Sequence, residues 1–346
     1  MSRFCVFCGS KPDGKTKEHV VPRWLIEMTG NPKRQASFGF KIGKDGIEDR
    51  TFAFDQFTFP ACNICNNDFA ELEGQVKPII ETIIAGGSIT TEMMSICLDW
   101  FDKVRVGIWL VMIMLDKIHT SPEPVLKVEP HFHIKSRIGQ FDRVLIIEKI
   151  KSKRKALNMG GVESFSFKLA PTAFTLTINN ICFTSISTVF LASRRLGFPY
   201  PTHSFLSKDR DEIGFNVVNG RNRVMTPIIR KNIRENGRIF IQPMFGNGLA
   251  ESQIEEYDSE YVKTHSLDYE KGIGTIFEQH PGCYSEYSVG DNIKFDIKES
   301  LNEREFMTRS VINIYEWQNW LTSFHTPDVS DLIAGQKEFI KPCVST

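Results

Sequence analysis

Two pairs of cysteines, each pair separated by two residues, constrain this chain more than any other feature of its sequence. The pairs are Cys5 with Cys8 and Cys62 with Cys65. A CxxC turn directs two thiolates at one point, so two such turns supply the four ligands of a closed tetrahedral zinc shell. The sequence therefore predicts a structural zinc site that joins two segments distant in the chain.

A redox dithiol is the main alternative for the same cysteines. A thioredoxin-like dithiol places its CxxC at the start of a helix, after a buried strand. Cys5 and Cys8 lie too near the first residue for that arrangement, and the first nine residues lack the apolar core of a secretory leader. We therefore expect a reducing, cytoplasmic setting, where paired cysteines hold metal more often than they form disulfides.

Composition places the chain in the globular class without indicating a partner. Its 346 residues include 42 Lys and Arg against 42 Asp and Glu, so the net charge neither favours nor excludes a nucleic acid. Residues 106–115 are uncharged, but they reach only about half the length of a membrane crossing. We expect no membrane span, and we assign these residues to a buried helix over about 95–118.

A strand, a cysteine-bearing turn and a helix are expected around the second cysteine pair. Residues 51–59 alternate Phe with polar or small residues, which predicts one strand. Apolar residues then recur at helical spacing from Phe69 onward and stop at Gly86. Three residues before Phe69 are suitable N-caps, namely Asn66, Asn67 and Asp68.

The remainder of the chain is expected to be rich in strands. Beyond residue 122, runs of Ile, Val, Phe and Thr are separated by turn residues. Helix is expected again over about residues 302–306 and 311–324. The predicted class is α+β, with an N-terminal module over residues 1–90 and a larger α+β domain over residues 91–346.

Three polar residues beside the cysteines form a candidate reactive site. Glu18 and His19 are neighbours in a short predicted strand, so both reach one site only where the strand ends, twists or bulges. Asn66 directly follows the last cysteine. Carboxylate and amide oxygens suit a hard cation such as Mg²⁺, and a nearby histidine suits a general base. The alternative for Glu18 and His19 is an ordinary exposed pair at a strand end.

Together, the segments CVFCG, EHVVPRWL and FPACNICNN resemble the HNH, or ββα-metal, endonuclease superfamily. The resemblance is to the branch that braces its catalytic hairpin with two CxxC pairs. It implies a ββα, treble-clef-like zinc module with structural zinc on Cys5, Cys8, Cys62 and Cys65. It also implies that Glu18 and Asn66 bind a catalytic Mg²⁺ or Mn²⁺, while His19 acts as the general base in hydrolysing phosphodiester bonds.

The same resemblance implies DNA as the substrate, with RNA as an alternative, and a bacterial defence or phage-related system. Three features depart from the family pattern. The acidic position holds Glu18 instead of the commoner Asp, and 46 residues separate His19 from Asn66, so we expect an insertion between the two strands. Asn67 is also a candidate for the second metal ligand, in place of Asn66.

The insertion itself is basic and aromatic. Lys33, Arg34 and Lys41 are interleaved with Phe38 and Phe40, a mixture that can neutralise phosphates and stack on bases. An ordinary hairpin with inward-packed aromatic residues fits the same pattern. A non-catalytic zinc module that binds nucleic acid or protein is the alternative function, and the sequence leaves open a homodimer or a protein activator.

Overall fold

The computed structural model describes residues 5, 12, 16–43, 46–54, 58–115, 142–169, 171–188, 200–206, 213–218, 236–242, 276–280 and 283–325. These residues form a mixed α and β structure, as the sequence predicts. Its helices are α1 Arg23–Met28, α2 Asn63–Ala85, α3 Thr91–Leu115, α4 Phe165–Leu169 and α5 Glu303–His325. Its strands are β1 Lys17–His19, β2 Gln35–Gly43, β3 Gly46–Ala53, β4 Thr58–Pro60, β5 Ser88–Thr90, β6 Asp142–Lys151, β7 Leu157–Gly160, β8 Ala173–Ile178, β9 Ile181–Thr188, β10 Tyr200–Leu206, β11 Ile213–Val218, β12 Arg238–Gln242, β13 Ile276–His280, β14 Cys283–Tyr287, β15 Asn292–Lys294 and β16 Glu299–Asn302.

The N-terminal part contains two short antiparallel strands that lead into a long helix. Strand β1 pairs with β4, with Glu18 opposite Phe59, and α2 begins shortly after β4. Helix α1 and the antiparallel pair β2 and β3 lie between them in the chain. The expected insertion between the two strands is therefore present. The assignment of this part to the ββα-metal class stays a prediction.

The single strand expected over residues 51–59 is wrong. The chain changes pairing partner there, because β3 pairs with β2 whereas β4 pairs with β1. Between the two strands, the Phe54 N–H donates to the Arg34 carbonyl oxygen at 3.1 Å. The alternation of Phe with polar residues reflects which side chains are buried, such as Phe54 and Phe59. It does not reveal with which strand each residue pairs.

Helix α2 begins earlier than expected and ends where expected. Its N-cap is Cys62, so Asn66 lies inside the first turn instead of capping the helix. The Cys65 N–H donates to Cys62 Sγ at 3.5 Å, and this sulfur replaces the usual oxygen acceptor of an N-cap. Gly86 closes the helix in the left-handed conformation with φ of 76°, which glycine adopts readily.

A large sheet forms the centre of the remaining structure. Its strand order is β14, β13, β12, β6, β9, β8, β7, and β16 pairs parallel with β6. Helix α3 covers one face, where the Phe101 ring packs against Phe174 and Phe183. Helix α5 covers the other, where Phe306 clusters with Cys182. Because Cys182 and Phe183 are strand neighbours, they mark opposite faces of a helix–sheet–helix sandwich.

The expected helices match the observed ones in place but not in all bounds. Helix α3 starts a few residues before the expected residue 95, and residues 116–118 of the expected helix lie outside the described residues. The expected break between residues 306 and 311 is wrong, because α5 runs through it. Arg309 interrupts the apolar pattern within that stretch. It donates to Glu148 Oε1 of β6 at 2.6 Å, so this polar position of the helix is stabilised by an ion pair. Among the described helices, none is both long and apolar enough to cross a membrane.

The packing is continuous across residue 90. Buried side chains from Cys5 to Ile297 belong to one hydrophobic cluster. Strand β5 pairs with β15, and α2 packs against α3. The division into residues 1–90 and 91–346 stays a prediction, but a core shared in this way makes α3 a structural support for the N-terminal part.

Candidate metal centre and active site

Three of the four predicted thiol ligands lie together in the interior. The sulfur atoms of Cys5, Cys62 and Cys65 all lie within 4.8 Å of one another, and all three residues are buried. Thiolates of a tetrahedral zinc site lie about 3.8 Å apart, given zinc–sulfur bonds of about 2.3 Å. The three thiols can therefore hold a metal ion. Cys8, the expected fourth ligand, lies outside the described residues.

The start of α2 positions two of the three thiols. Cys62 is the N-cap, and Cys65 lies in the first turn. Two contacts tie this turn to the residue before β1: Thr16 Oγ1 donates to Asn63 Oδ1 at 2.8 Å, and the Ala61 N–H donates to the Thr16 carbonyl oxygen at 3.3 Å. The cysteine turn and β1 are thus held in register.

Glu18 and His19 lie at the end of β1. The strand stops at His19, and the next two residues, Val20 and Val21, are buried in a bend. Burial raises the pKa of the Glu73 carboxyl on α2, and the nearby Glu18 charge acts in the same direction. Because β1 ends at this point, the side chains of Glu18 and His19 are not held on opposite faces as they would be in a continuing strand.

Asn66 offers a buried side-chain oxygen atom. Its Oδ1 is buried and has no hydrogen-bond partner within the described part of the chain. A buried acceptor without a partner is costly, and a bound cation removes that cost. Asn67 is exposed, so Asn66 is the better candidate of the two for a metal ligand. An amide oxygen and the Glu18 carboxylate are the ligand types that Mg²⁺ or Mn²⁺ accepts.

Two residues at this site were not anticipated from the sequence, Lys103 of α3 and Glu73 of α2. The Lys103 side chain is fully buried, and its Nζ lies 3.3 Å from Glu18 Oε1 and also forms an ion pair with Glu73. Glu73 follows Asn66 by seven residues, about two helical turns, so both lie on one face of α2. A charged residue within an apolar helix face requires a buried partner. Glu73 and Lys103 are both charged residues within such patterns, so the sequence could have indicated them.

Burial sets the electrostatics of the two carboxyl groups. It raises the pKa of Glu18 and of Glu73, and the nearby Lys103 ammonium acts in the opposite direction at both. Removal from water disfavours the charged form of a carboxyl group, whereas a neighbouring cation favours it. The site is therefore one in which additional positive charge would be stabilised.

The residues expected to contact nucleic acid lie in the insertion. Lys33 is exposed, Arg34 is partly buried, and Lys41 lies in β2. The Arg34 guanidinium donates to acceptors close in the chain, which are the carbonyl oxygens of Ile26 and Asn31 and Thr29 Oγ1. Arg34 thus has a structural role at the end of α1. A role for the three residues in nucleic-acid binding stays a prediction.

No protein-family model, curated protein or solved structure matches this chain. Its function must therefore be inferred from its own residues.

Proposed function

We propose that this chain is a metal-dependent endonuclease of the HNH type that hydrolyses phosphodiester bonds of DNA. The observation that carries the proposal is the buried Asn66 Oδ1, which has no hydrogen-bond partner among the described residues and lies one residue after a three-thiol cluster. Glu18 and His19 supply a carboxylate and an imidazole at the end of the paired strand β1. Together, an amide oxygen, a carboxylate and a candidate base supply the groups needed for metal-dependent hydrolysis.

The thiols serve the site without taking part in the reaction. Cys5, Cys62 and Cys65, completed by Cys8, would hold a structural zinc ion. A closed four-thiolate shell leaves no ligand position for water or substrate. Its contribution is to fix the first turn of α2, and with it the position of Asn66.

In the proposed mechanism, Glu18 and Asn66 hold one Mg²⁺ or Mn²⁺ ion. When bound, that ion stabilises negative charge on the phosphate oxygens. His19 accepts the proton of the attacking water, the role in which imidazole works best near neutral pH. The water oxygen bonds to phosphorus as the bond to the leaving oxygen breaks. Lys33, Arg34 and Lys41 of the insertion are candidates for binding the DNA backbone.

One observation favours a second candidate function. Glu18 already has a cationic partner in Lys103, so the Lys103 ammonium is able to occupy the carboxylate in place of a catalytic metal. The chain would then be a non-catalytic, zinc-stabilised module that binds nucleic acid or protein. Measurement of Mn²⁺ binding separates the two candidates, because only the endonuclease requires a divalent cation beside Glu18.

Replacement of Asn66 by alanine tests the proposed ligand set. We expect Asn66→Ala to weaken Mn²⁺ binding by at least about tenfold and to reduce plasmid nicking at low Mn²⁺ accordingly, because an oxygen ligand is lost. The matched control is Asn67→Ala, in which an exposed neighbour is truncated and both properties should stay native. Equal losses in both variants, or none in either, would show that Asn66 is not the ligand. Mn²⁺ binding is measured by electron paramagnetic resonance of the free ion.

A further inference from the structure

Lys103 is the residue of α3 that reaches the proposed active site. Its side chain is fully buried, 0% exposed, beneath the end of β1. A lysine ammonium offers three donors and cannot be left unsatisfied away from water. Its acceptors include oxygen atoms of β1, of the bend that follows β1 and of α2.

Lys103 contacts the proposed metal ligand Glu18 and the backbone at and after the proposed base His19. Nζ lies 3.3 Å from Glu18 Oε1, 3.4 Å from the His19 carbonyl oxygen and 3.5 Å from the Val20 carbonyl oxygen. It also forms an ion pair with Glu73 of α2. One cation thus contacts the carboxylate before His19 and the backbone on the far side of His19.

These contacts explain how two adjacent strand residues come to serve one site. Neighbouring side chains of a regular strand point to opposite faces. The carbonyl oxygens of His19 and Val20 face the same ammonium, whereas consecutive carbonyls of a strand alternate in direction. Lys103 therefore stabilises the bend that ends β1, directly after Glu18 and His19.

Helix α3 itself is anchored to the sheet next to Lys103. The neighbouring Asp102 pairs with Arg105 of the same helix and, at 3.4 Å, with Arg143 of β6. The Phe101 ring packs on Phe183 of β9, with ring centroids 5.3 Å apart. Both contacts restrict rotation of α3 about its axis. The position of the Lys103 ammonium is thus set by the large sheet.

We propose that Lys103 is a positioning residue of the nuclease centre, which holds Glu18 and the bend after His19 in the geometry needed for hydrolysis. Glu73 shares the Lys103 ammonium with Glu18 and so provides a second partner for its positive charge. This inference rests on the proposed endonuclease function. It adds that the catalytic geometry depends on a residue outside the predicted 1–90 module.

Two variants separate position from charge. Glu73→Gln keeps the Lys103 contacts and removes one negative charge, so Mn²⁺ affinity should fall several-fold. The double variant Lys103→Met/Glu73→Gln also removes the ammonium without leaving Glu73 as an unpaired carboxylate. Its turnover at saturating Mn²⁺ should fall by about 100-fold, because a misplacement of about 1 Å has effects of that size.

Thermal melting and zinc content show whether each variant is folded, and Mn²⁺ affinity is read without nucleic acid. A folded, zinc-loaded double variant with native turnover would overturn the inference while leaving the endonuclease function intact. Should the double variant not fold, Lys103→Arg keeps the positive charge but not the compact ammonium that makes these contacts. Native turnover in that variant would overturn the inference. If the native chain cuts no nucleic acid, the endonuclease function fails. In that case, Mn²⁺ binding by the double variant that equals or exceeds that of Glu73→Gln overturns the positioning role. Weaker binding, despite the loss of a competing cation, supports it.

Discussion

Replacing His19 by alanine should lower the rate of plasmid nicking in Mn²⁺ by about 10²–10⁴-fold, the usual contribution of a general base. The attacking water would lose its proton acceptor, while Glu18 and Asn66 would still hold the cation. Mn²⁺ affinity should therefore stay close to native. This combination, lost turnover with retained metal binding, is the signature of a base and not of a ligand.

A second histidine provides the control for this variant. His280 lies on β13 of the large sheet, where its Nε2 lies 3.0 Å from Ser285 Oγ. His280→Ala should retain native nicking, because it removes an imidazole remote in the chain from the proposed site. If His19→Ala cut as fast as the native chain at saturating Mn²⁺, the general base would have to be another group.

Cys62→Ser should release the structural metal and destabilise the chain. Loss of a structural metal ligand belongs to the small class of substitutions that cost more than about 4 kcal/mol. For a chain of this size, we expect the melting temperature to fall by at least about 5 °C. Zinc content measured by mass spectrometry should fall with it, since Cys62 also caps the helix that carries Cys65.

Cys182→Ser is the matched control for the thiol site. Cys182 is a buried thiol on β9, and burial raises its pKa to about 12. Such a thiol stays protonated at neutral pH and is a poor metal ligand. The control variant should keep the native zinc content and lose little stability. A Cys62→Ser chain that retained both its zinc and its melting temperature would exclude Cys62 from the metal site.

The cysteine turns were predictable because each is specified by a few neighbouring residues. Each CxxC spacing specifies a turn that directs two sulfur atoms at one point, and the structure brings Cys5, Cys62 and Cys65 together. The end of α2 was equally predictable, because Gly86 supplies the conformation that closes a helix. In both cases a few neighbouring residues decide the outcome.

The site residues missed from the sequence depend on packing between distant elements. Lys103 reaches Glu18 only because α3 lies against α2 and the end of β1, and no periodicity in either segment records that arrangement. The switch of partner between β3 and β4 was missed for the same reason. Charges inside segments with an apolar pattern, such as Glu73 and Lys103, are the useful signal, because each must find a buried partner.

The most direct test of the proposed function is metal-dependent nicking of supercoiled plasmid by the native chain. The protein is first freed of loosely bound metal with a chelator that leaves about one zinc ion per chain in place, as expected for one closed thiolate shell. We predict no nicking in the chelator and clear nicking once Mn²⁺ or Mg²⁺ is restored. Failure to cut plasmid, branched DNA, single-stranded DNA or RNA in either metal would contradict the assignment of an endonuclease.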